Sequence, residues 1–417
     1  MFGRQAIFST EIIAMAFQVQ SIKSLFPVFT HWPELVYLDN AATSQKPQSV
    51  IQTITDFYSQ ENANVHRGLY ELSSQATRRY EEVRKKVAGL LGANDPSTIA
   101  FTKGTTESIN IVAQGYLKKF LKKGDKVLIS GMEHHANLIP WQQVCMESGT
   151  ALEVIPVTSD GELLLDKLNS RLDKQVKLLA LTHISNVLGT INPIEEVIAM
   201  AHQKKIPVLI DAAQSVGHHH VDVNKLDIDF LVFSAHKMFG PMGTGVLYCK
   251  KEFAEKMDAR TYGGGGIRNV TYIETEFLDY PHKLEAGTPN VPGVLGLGAA
   301  VDFVNGLDLT ETTDYTRNLI IYFKEKAKSL GWVELLGNPR NFGSIVSFQI
   351  KNIHAHDVAG FLANSGIAVR AGHHCAQPLL ESMGIPATVR ASFSIYSTKQ
   401  DVDKTVQALV ELKKFWS

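Results

Sequence analysis

Residues 208–237 read VLIDAAQSVGHHHVDVNKLDIDFLVFSAHK. One apolar run, Val208 to Ile210, ends in Asp211, and a second, Phe230 to Phe233, ends in Ser234, His236 and Lys237. Short apolar runs that finish in polar residues are the pattern of buried strands in a parallel sheet that presents its chemistry at the strand ends. An Asp and a Lys delivered to one rim suit pyridoxal phosphate (PLP). The lysine amine joins the aldehyde, and the carboxylate keeps the ring nitrogen protonated so that the ring draws electrons. A turn-forming Asp and a solvated Lys would look the same in isolation, so the rest of the chain decides between the readings.

The flanking chain repeats the pattern. Apolar strands at Leu35–Asp39, Thr98–Thr102, Lys126–Ser130 and Leu178–Thr182 alternate with helical periodicity at Gln48–Ser59, at Leu72–Leu91, from Thr106 to Phe120 and after Pro193. Strand–helix alternation predicts an α/β fold with a mostly parallel sheet wrapped by helices, its active groups at the C-terminal strand ends. Three strand ends carry candidates. Lys103-Gly104-Thr105-Thr106 opens a helix, where free N–H groups and hydroxyls stabilise a phosphate, although a plain Thr cap gives the same letters. Glu133-His134-His135 offers imidazoles for stacking or proton transfer. Ser185-Asn186 follows the strand that ends at Thr182. His218, His219 and His220 are consecutive and cannot all face one point from a strand, so they are expected as surface or partly buried side chains and not as a metal site. The glycines of 240–248 lead into a strand and not a helix, which removes a dinucleotide fingerprint. Residues 263–266 are four glycines, and a hairpin-like insertion follows near 271–281.

From about Leu307 the cycle shortens: helix 314–330, strands 345–349, 368–370 and 389–394, helices 357–365 and 399–414. This predicts a second, smaller α+β domain. Its loop Arg370-Ala371-Gly372-His373-His374-Cys375 sets a cysteine among Gly, His and Arg, the surroundings of a reactive, accessible thiol. Cys145 and Cys249 lie in apolar contexts and read as inert core residues. Arg390 opens the strand VRASF and is placed to grip a carboxylate through its fork.

Bulk properties set the remaining bounds. The 417 residues carry 20% charged and 44% hydrophobic side chains and a net charge of -1, an ordinary globular composition with no global argument for nucleic acid or an anionic membrane. Three widely spaced cysteines argue against a disulfide framework or a structural zinc and for a reducing, cytoplasmic location. No apolar run approaches the roughly 20 residues that span a bilayer. The N-terminus lacks the basic start and long apolar core of a signal peptide. Met1–Ala14 is expected to be an extension or the result of an alternative start, with the chain proper beginning near Met15. Residues 17–29 are expected to be a short helix followed by an extended segment.

In order, YLDNAAT, NVHRG, GTTESIN, MEHHAN, THISNVLGT, DAAQSVGHH, FSAHKMFGP, EAGTPN and RAGHHCAQP resemble the SufS type of cysteine desulfurase and selenocysteine lyase in the class V aminotransferase family. The likeness runs from about Phe17 to the C-terminus, and the short RAGHHCAQP loop points to this branch rather than to NifS and IscS. It implies the PLP-dependent transferase fold type I, with a large PLP-binding domain at 31–302 and a small domain from 1–30 and 303–417 that carries the cysteine loop. By the resemblance Lys237 holds PLP and Asp211 pairs with its ring nitrogen. His134 stacks on the ring and moves protons, and Gln214 bonds the phenolic oxygen. Thr105, Thr106, Ser234 and His236 bind the phosphate, joined by Thr288 from the partner subunit of a homodimer. Asn186 and Arg390 hold the substrate carboxylate, with Arg370 beside the nucleophile. Cys375 takes sulfur from L-cysteine, leaving a persulfide and L-alanine. The persulfide then goes to a SufE-like or SufU-like acceptor and indirectly to a SufBCD-type scaffold for iron–sulfur cluster assembly. Lys103 stands where such proteins often carry Arg. Three alternatives stay open: L-selenocysteine as main substrate, an aminotransferase or lyase without a persulfide step, and a non-catalytic scaffold.

Overall fold

The computed structural model describes residues 18–416. Its main sheet has seven strands: β1 (Ile99–Thr102), β2 (Lys126–Ser130), β3 (Ala151–Ile155), β4 (Val176–Thr182), β5 (Val208–Asp211), β6 (Phe230–Ser234) and β7 (Gly245–Cys249). They lie in the order β1-β7-β6-β5-β4-β2-β3, parallel throughout except for the two antiparallel pairs made by β7. The apolar runs of the sequence follow from burial on both faces. In β6, Leu231 and Phe233 enter one hydrophobic cluster while Phe230 and Val232 enter another across the sheet, and β4, β5 and β7 divide the same way. A parallel sheet covered twice has no polar face to write into its sequence.

Four antiparallel strands form a second sheet: β8 (Val333–Leu335), β9 (Ile345–Ile350), β10 (Arg370–Gly372) and β11 (Thr388–Ser392), ordered β8-β9-β11-β10. Helices Leu309–Ser329 and Lys399–Phe415 cover it, closing a core around Phe323, Phe348, Phe393, Leu409 and Leu412. The expected strand 368–370 is divided. Ile367–Ala368 pairs in parallel with Val36–Tyr37, and Arg370 begins a different ladder.

Residues 18–31 depart from expectation. The helix Val19–Ser24 is followed not by an extended segment but by the one-turn helix Val28–His31. Phe26 explains the turn, because its ring is fully buried against Phe29, Phe239, Phe303 and Tyr396. The expected extension 1–14 lies outside the described residues. Among the described residues no helix is long and apolar enough to cross a membrane.

Candidate active site

β5 and β6 are hydrogen-bonded neighbours, so their ends bring Asp211 and Lys237 to one rim. Asp211 is buried and accepts the Ala213 N–H at 3.0 Å. Burial pushes its carboxyl up, against the pull of that N–H and of Lys237. Lys237 ends the single 3₁₀ turn Ala235–Lys237. Burial lowers its amine below the usual lysine range, and Asp211 restores part of the loss. The Lys237 carbonyl is fixed by the ring of His218, Nε2 to O 2.9 Å, and that ring stands edge-on to Phe239. His219 is partly buried and His220 exposed, so the three consecutive histidines diverge.

His134 follows β2 and caps the short helix His135–Asn137, its Nδ1 accepting the Ala136 N–H at 3.0 Å. An accepting Nδ1 assigns the ring proton to Nε2. Burial, with the charge of Lys237, pushes His134 down to about 3, so it is a neutral Nε2–H donor. Its loop is held by Glu133, which is buried and bonded to Ser130, the Thr182 N–H at 3.0 Å and Asn137 at 2.6 Å. Burial pushes Glu133 up to about 8.

At the end of β1, Thr105 is buried, its N–H donating to Ser234 Oγ at 2.9 Å and its hydroxyl 2.8 Å from the same atom. Thr106, one residue on, is exposed. Backbone contact demands glycine here, since a Cβ on Gly245 would lie 2.3 Å from Gly104 Cα. His236 Nδ1 is buried without a partner. Gln214 donates Nε2–H to the Ala41 carbonyl at 2.9 Å.

The cysteine loop comes from the other sheet. β10 runs from Arg370 to Gly372, and Arg370 and Arg390 are directly paired across β10 and β11. His374 and Cys375 both adopt left-handed backbone, φ 53° and 55°, a conformation that costs non-glycine residues about 1 kcal/mol or more each. Four contacts hold it. Asn186 Nδ2 donates to the His374 carbonyl at 2.7 Å, and His374 Nε2 lies 2.8 Å from Thr388 Oγ1. The His135 N–H donates to the Cys375 carbonyl at 2.6 Å, and the Gln377 N–H to His135 Nε2 at 3.2 Å. Behind the loop Ala376, Leu379 and Leu380 pack against Met132, Val187 and Leu188 of the main sheet's loops. Truncating a fully buried leucine such as Leu380 costs about 2–5 kcal/mol, so this apolar seam locks the loop onto the rim.

Cys375 is exposed, whereas Cys145 and Cys249 are buried and burial pushes their thiols up. A thiolate at Cys375 acts on Lys237, Arg370 and Arg390, favouring the charged form of each. Arg390 is 2% exposed, donates NH1 to the Asn186 carbonyl at 3.0 Å and leaves Nε unpartnered. Burial lowers it to about 10.

Two residues outside the sequence reading belong here, His218 and Asp39. Asp39 takes a bidentate grip from Arg370 (3.1 and 2.8 Å) and a 3.3 Å bond from Arg390. Thr288, expected at the phosphate from a partner subunit, lies apart from the rim within its own subunit. Thr288 lines a cavity of about 530 Å³ with His66, Arg67, His282 and Glu285, and neither Lys237 nor Cys375 borders it.

The Aminotransferase class-V family matches residues 36–405. A cysteine desulfurase of Cronobacter sakazakii is 45% identical over 404 residues, covering 96% of this chain and 99% of that protein. The apo cysteine desulfurase of Thermococcus onnurineus NA1 superposes with a TM-score of 0.92 at 38% identity, over 96% of this chain and 99% of the other. The Escherichia coli cysteine desulfurase CsdA, in an S-sulfonic acid form, gives 0.89 at 38% identity, over 96% and 100%.

Proposed function

The chain belongs to the class V aminotransferase family, and from that premise we propose that it is a PLP-dependent cysteine desulfurase of the SufS type. Cys375 takes the sulfur of L-cysteine, and L-alanine leaves. The observation that carries this reading is the exposed, left-handed Cys375 standing among Lys237, Arg370 and Arg390. The net step balances: the substrate's C–S bond breaks, its sulfur bonds to Cys375 Sγ, and the carbon that lost sulfur gains a proton.

The rim fits PLP. A buried carboxylate, an amine that burial drives toward neutrality, a neutral imidazole, the unpartnered His236 Nδ1 and paired hydroxyls form the donor set that this cofactor needs. Lys237, Asp211, His134 and Gln214 would hold the ring, and Thr105, Thr106, Ser234 and His236 the phosphate. When bound, PLP withdraws electrons from the amino acid's α-carbon and so weakens the bonds around it. Lys237 supplies an amine that burial shifts toward its reactive neutral form, and then a base beside the α-carbon. His134 offers Nε2–H as a hydrogen-bond donor, and its low pKa keeps it neutral down to acid pH. Arg390 and Asn186 seat the substrate carboxylate, with Arg390 Nε free for it. Cys375, whose thiolate is the form that attacks sulfur, stands beside Arg370 and Arg390.

Three finer expectations complete the reading. A second copy of the chain brings Thr288 to the phosphate, consistent with that residue's distance from Lys237 within one subunit. The persulfide passes to an acceptor protein for iron–sulfur cluster assembly, and L-selenocysteine is a second substrate. The test is mass spectrometry of the Cys375 peptide after L-cysteine without reductant. One added sulfur atom on Cys375 is expected, and an unmodified Cys375 in an enzyme that turns over would overturn the proposal.

A further inference from the structure

The substrate-carboxylate site already contains a carboxylate of the protein's own. Asp39 leaves the two-residue strand Val36–Tyr37 and bridges to Ser392, at the end of β11. Its Oδ1 accepts from Arg370 Nε at 3.1 Å and from Arg390 NH2 at 3.3 Å, and its Oδ2 accepts from Arg370 NH2 at 2.8 Å. Arg390 is then left with one strong bond, NH1 to the Asn186 carbonyl at 3.0 Å, one long bond to Asp39, and a buried Nε without a partner. A substrate carboxylate that takes the Nε and NH2 fork must share NH2 with Asp39. Two like charges then meet on one guanidinium, in a site where Arg390 is 2% exposed and screening by water is weak.

We propose that Asp39 sets the affinity of this site for α-carboxylates: it is the resident counter-ion of Arg390 and Arg370, and every incoming carboxylate competes with it. This rests on the reading of Arg390 as the carboxylate anchor. The arrangement has two consequences. Without substrate, Asp39 offsets part of the cost of burying the Arg390 charge. With substrate, binding is weaker than a bare arginine would give, so product L-alanine leaves readily. Asp39 is thus a positioning residue that acts through Arg390. Removing its charge leaves Arg390 held at NH1 by Asn186, so the guanidinium keeps its place while its competitor is lost.

The experiment is a titration of PLP-loaded wild type and Asp39→Asn with L-alanine and, separately, with ethylamine, which lacks only the carboxylate. Binding is followed by the cofactor's visible absorption and needs no turnover. L-Alanine is expected to bind about tenfold tighter to the variant, about 1.4 kcal/mol, with ethylamine unchanged. With L-cysteine the same variant lowers KM more than it raises kcat, because the competition is with binding. Equal or weaker L-alanine binding overturns the proposal, and so does equal tightening of both ligands, which would place the effect at the amine. Asp39→Ser, also uncharged, carries the same expectation if the Asn variant does not fold. A wild type that binds L-alanine but forms none from L-cysteine would overturn the desulfurase reading and not this one.

Discussion

Glu285 begins the loop that ends in Thr288, and it closes a buried ion pair whose loss has a calculable cost. Arg84 donates NH1 to Glu285 Oε1 at 2.7 Å and NH2 to Oε2 at 2.9 Å, with side-chain exposures of 4% and 6%. Glu285 Oε1 also accepts the Phe101 N–H at 2.8 Å, covering the outer edge of β1, the last strand of its sheet. Burial alone would lower Arg84's pKa, but Glu285 and Glu81 more than offset it and hold the guanidinium firmly charged. Glu285→Gln keeps the shape and an acceptor for Phe101 but sets an amide donor against a buried cation. Removing one partner of a buried pair costs about 3–5 kcal/mol, moderated here by the bonds from Arg84 to Glu81 and the Ile99 carbonyl. With about 2.1 cal/mol/K of unfolding entropy per residue, a chain of this length loses at most roughly 3–6 °C in Tm. Thermal unfolding by circular dichroism reads this directly. Arg84→Met added to Glu285→Gln removes the stranded cation and should recover at least half the loss, giving a large coupling energy. If Glu285→Gln unfolds within about 1 °C of wild type, Glu81 alone compensates Arg84 and the pair does not tie the loop to the sheet.

Two further outcomes follow from the site. Arg390→Lys keeps a charge but loses the fork, so kcat/KM for L-cysteine should fall about 10–100-fold, roughly 1.4–2.7 kcal/mol, carried mainly by KM; a change within about twofold would remove Arg390 as the anchor. Acid stability is set by histidines buried as neutral rings: burial lowers His134, His219 and His374 to about 3 and His183 and His236 to about 4, from 6.5. Below pH 6.5 the unfolded chain takes up those protons and the native chain does not, so stability is lost as pH falls toward 4. Glu133, raised to about 8, opposes this with one proton bound in the native state. These six groups by themselves give a slope near pH 5 on the order of 5 kcal/mol per pH unit. Tm measured from pH 7 to pH 5 should fall steeply, and His219→Gln should flatten the slope by about 1.4 kcal/mol per unit; a flat profile would contradict these assignments.

The placing of polar residues at strand ends was the legible part. Asp211, Lys237, His134 and Thr105 sit where an apolar run stops, because a strand buried on both faces has its first polar residue at the rim. β3 escaped notice for the opposite reason. As the sheet's outermost strand it leaves Ala151 and Val154 exposed, so it has no continuous apolar run. That Thr105 is buried and Thr106 exposed was not readable either, since Thr105 is held by Ser234, 129 positions away. Asp39 reads in the sequence only as the last residue of the strand Leu35–Asp39, because its partners, Arg370 and Arg390, are more than 300 residues on. His218 was hidden within a run of three, and only the backbone shows that one ring faces the Lys237 carbonyl. The signal available for Asp39 was a carboxylate next to a short strand in a site already credited with two arginines. A buried arginine such as Arg390 needs a counter-charge.

The measurement that bears most directly on the central claim is alanine released from L-cysteine by wild type and by Cys375→Ala, with each protein's PLP absorption recorded alongside. Wild type is expected to form alanine, while the variant keeps its yellow cofactor and forms none. Alanine released by the variant as fast as by wild type would contradict sulfur transfer to Cys375 and favour a lyase or aminotransferase reaction in its place.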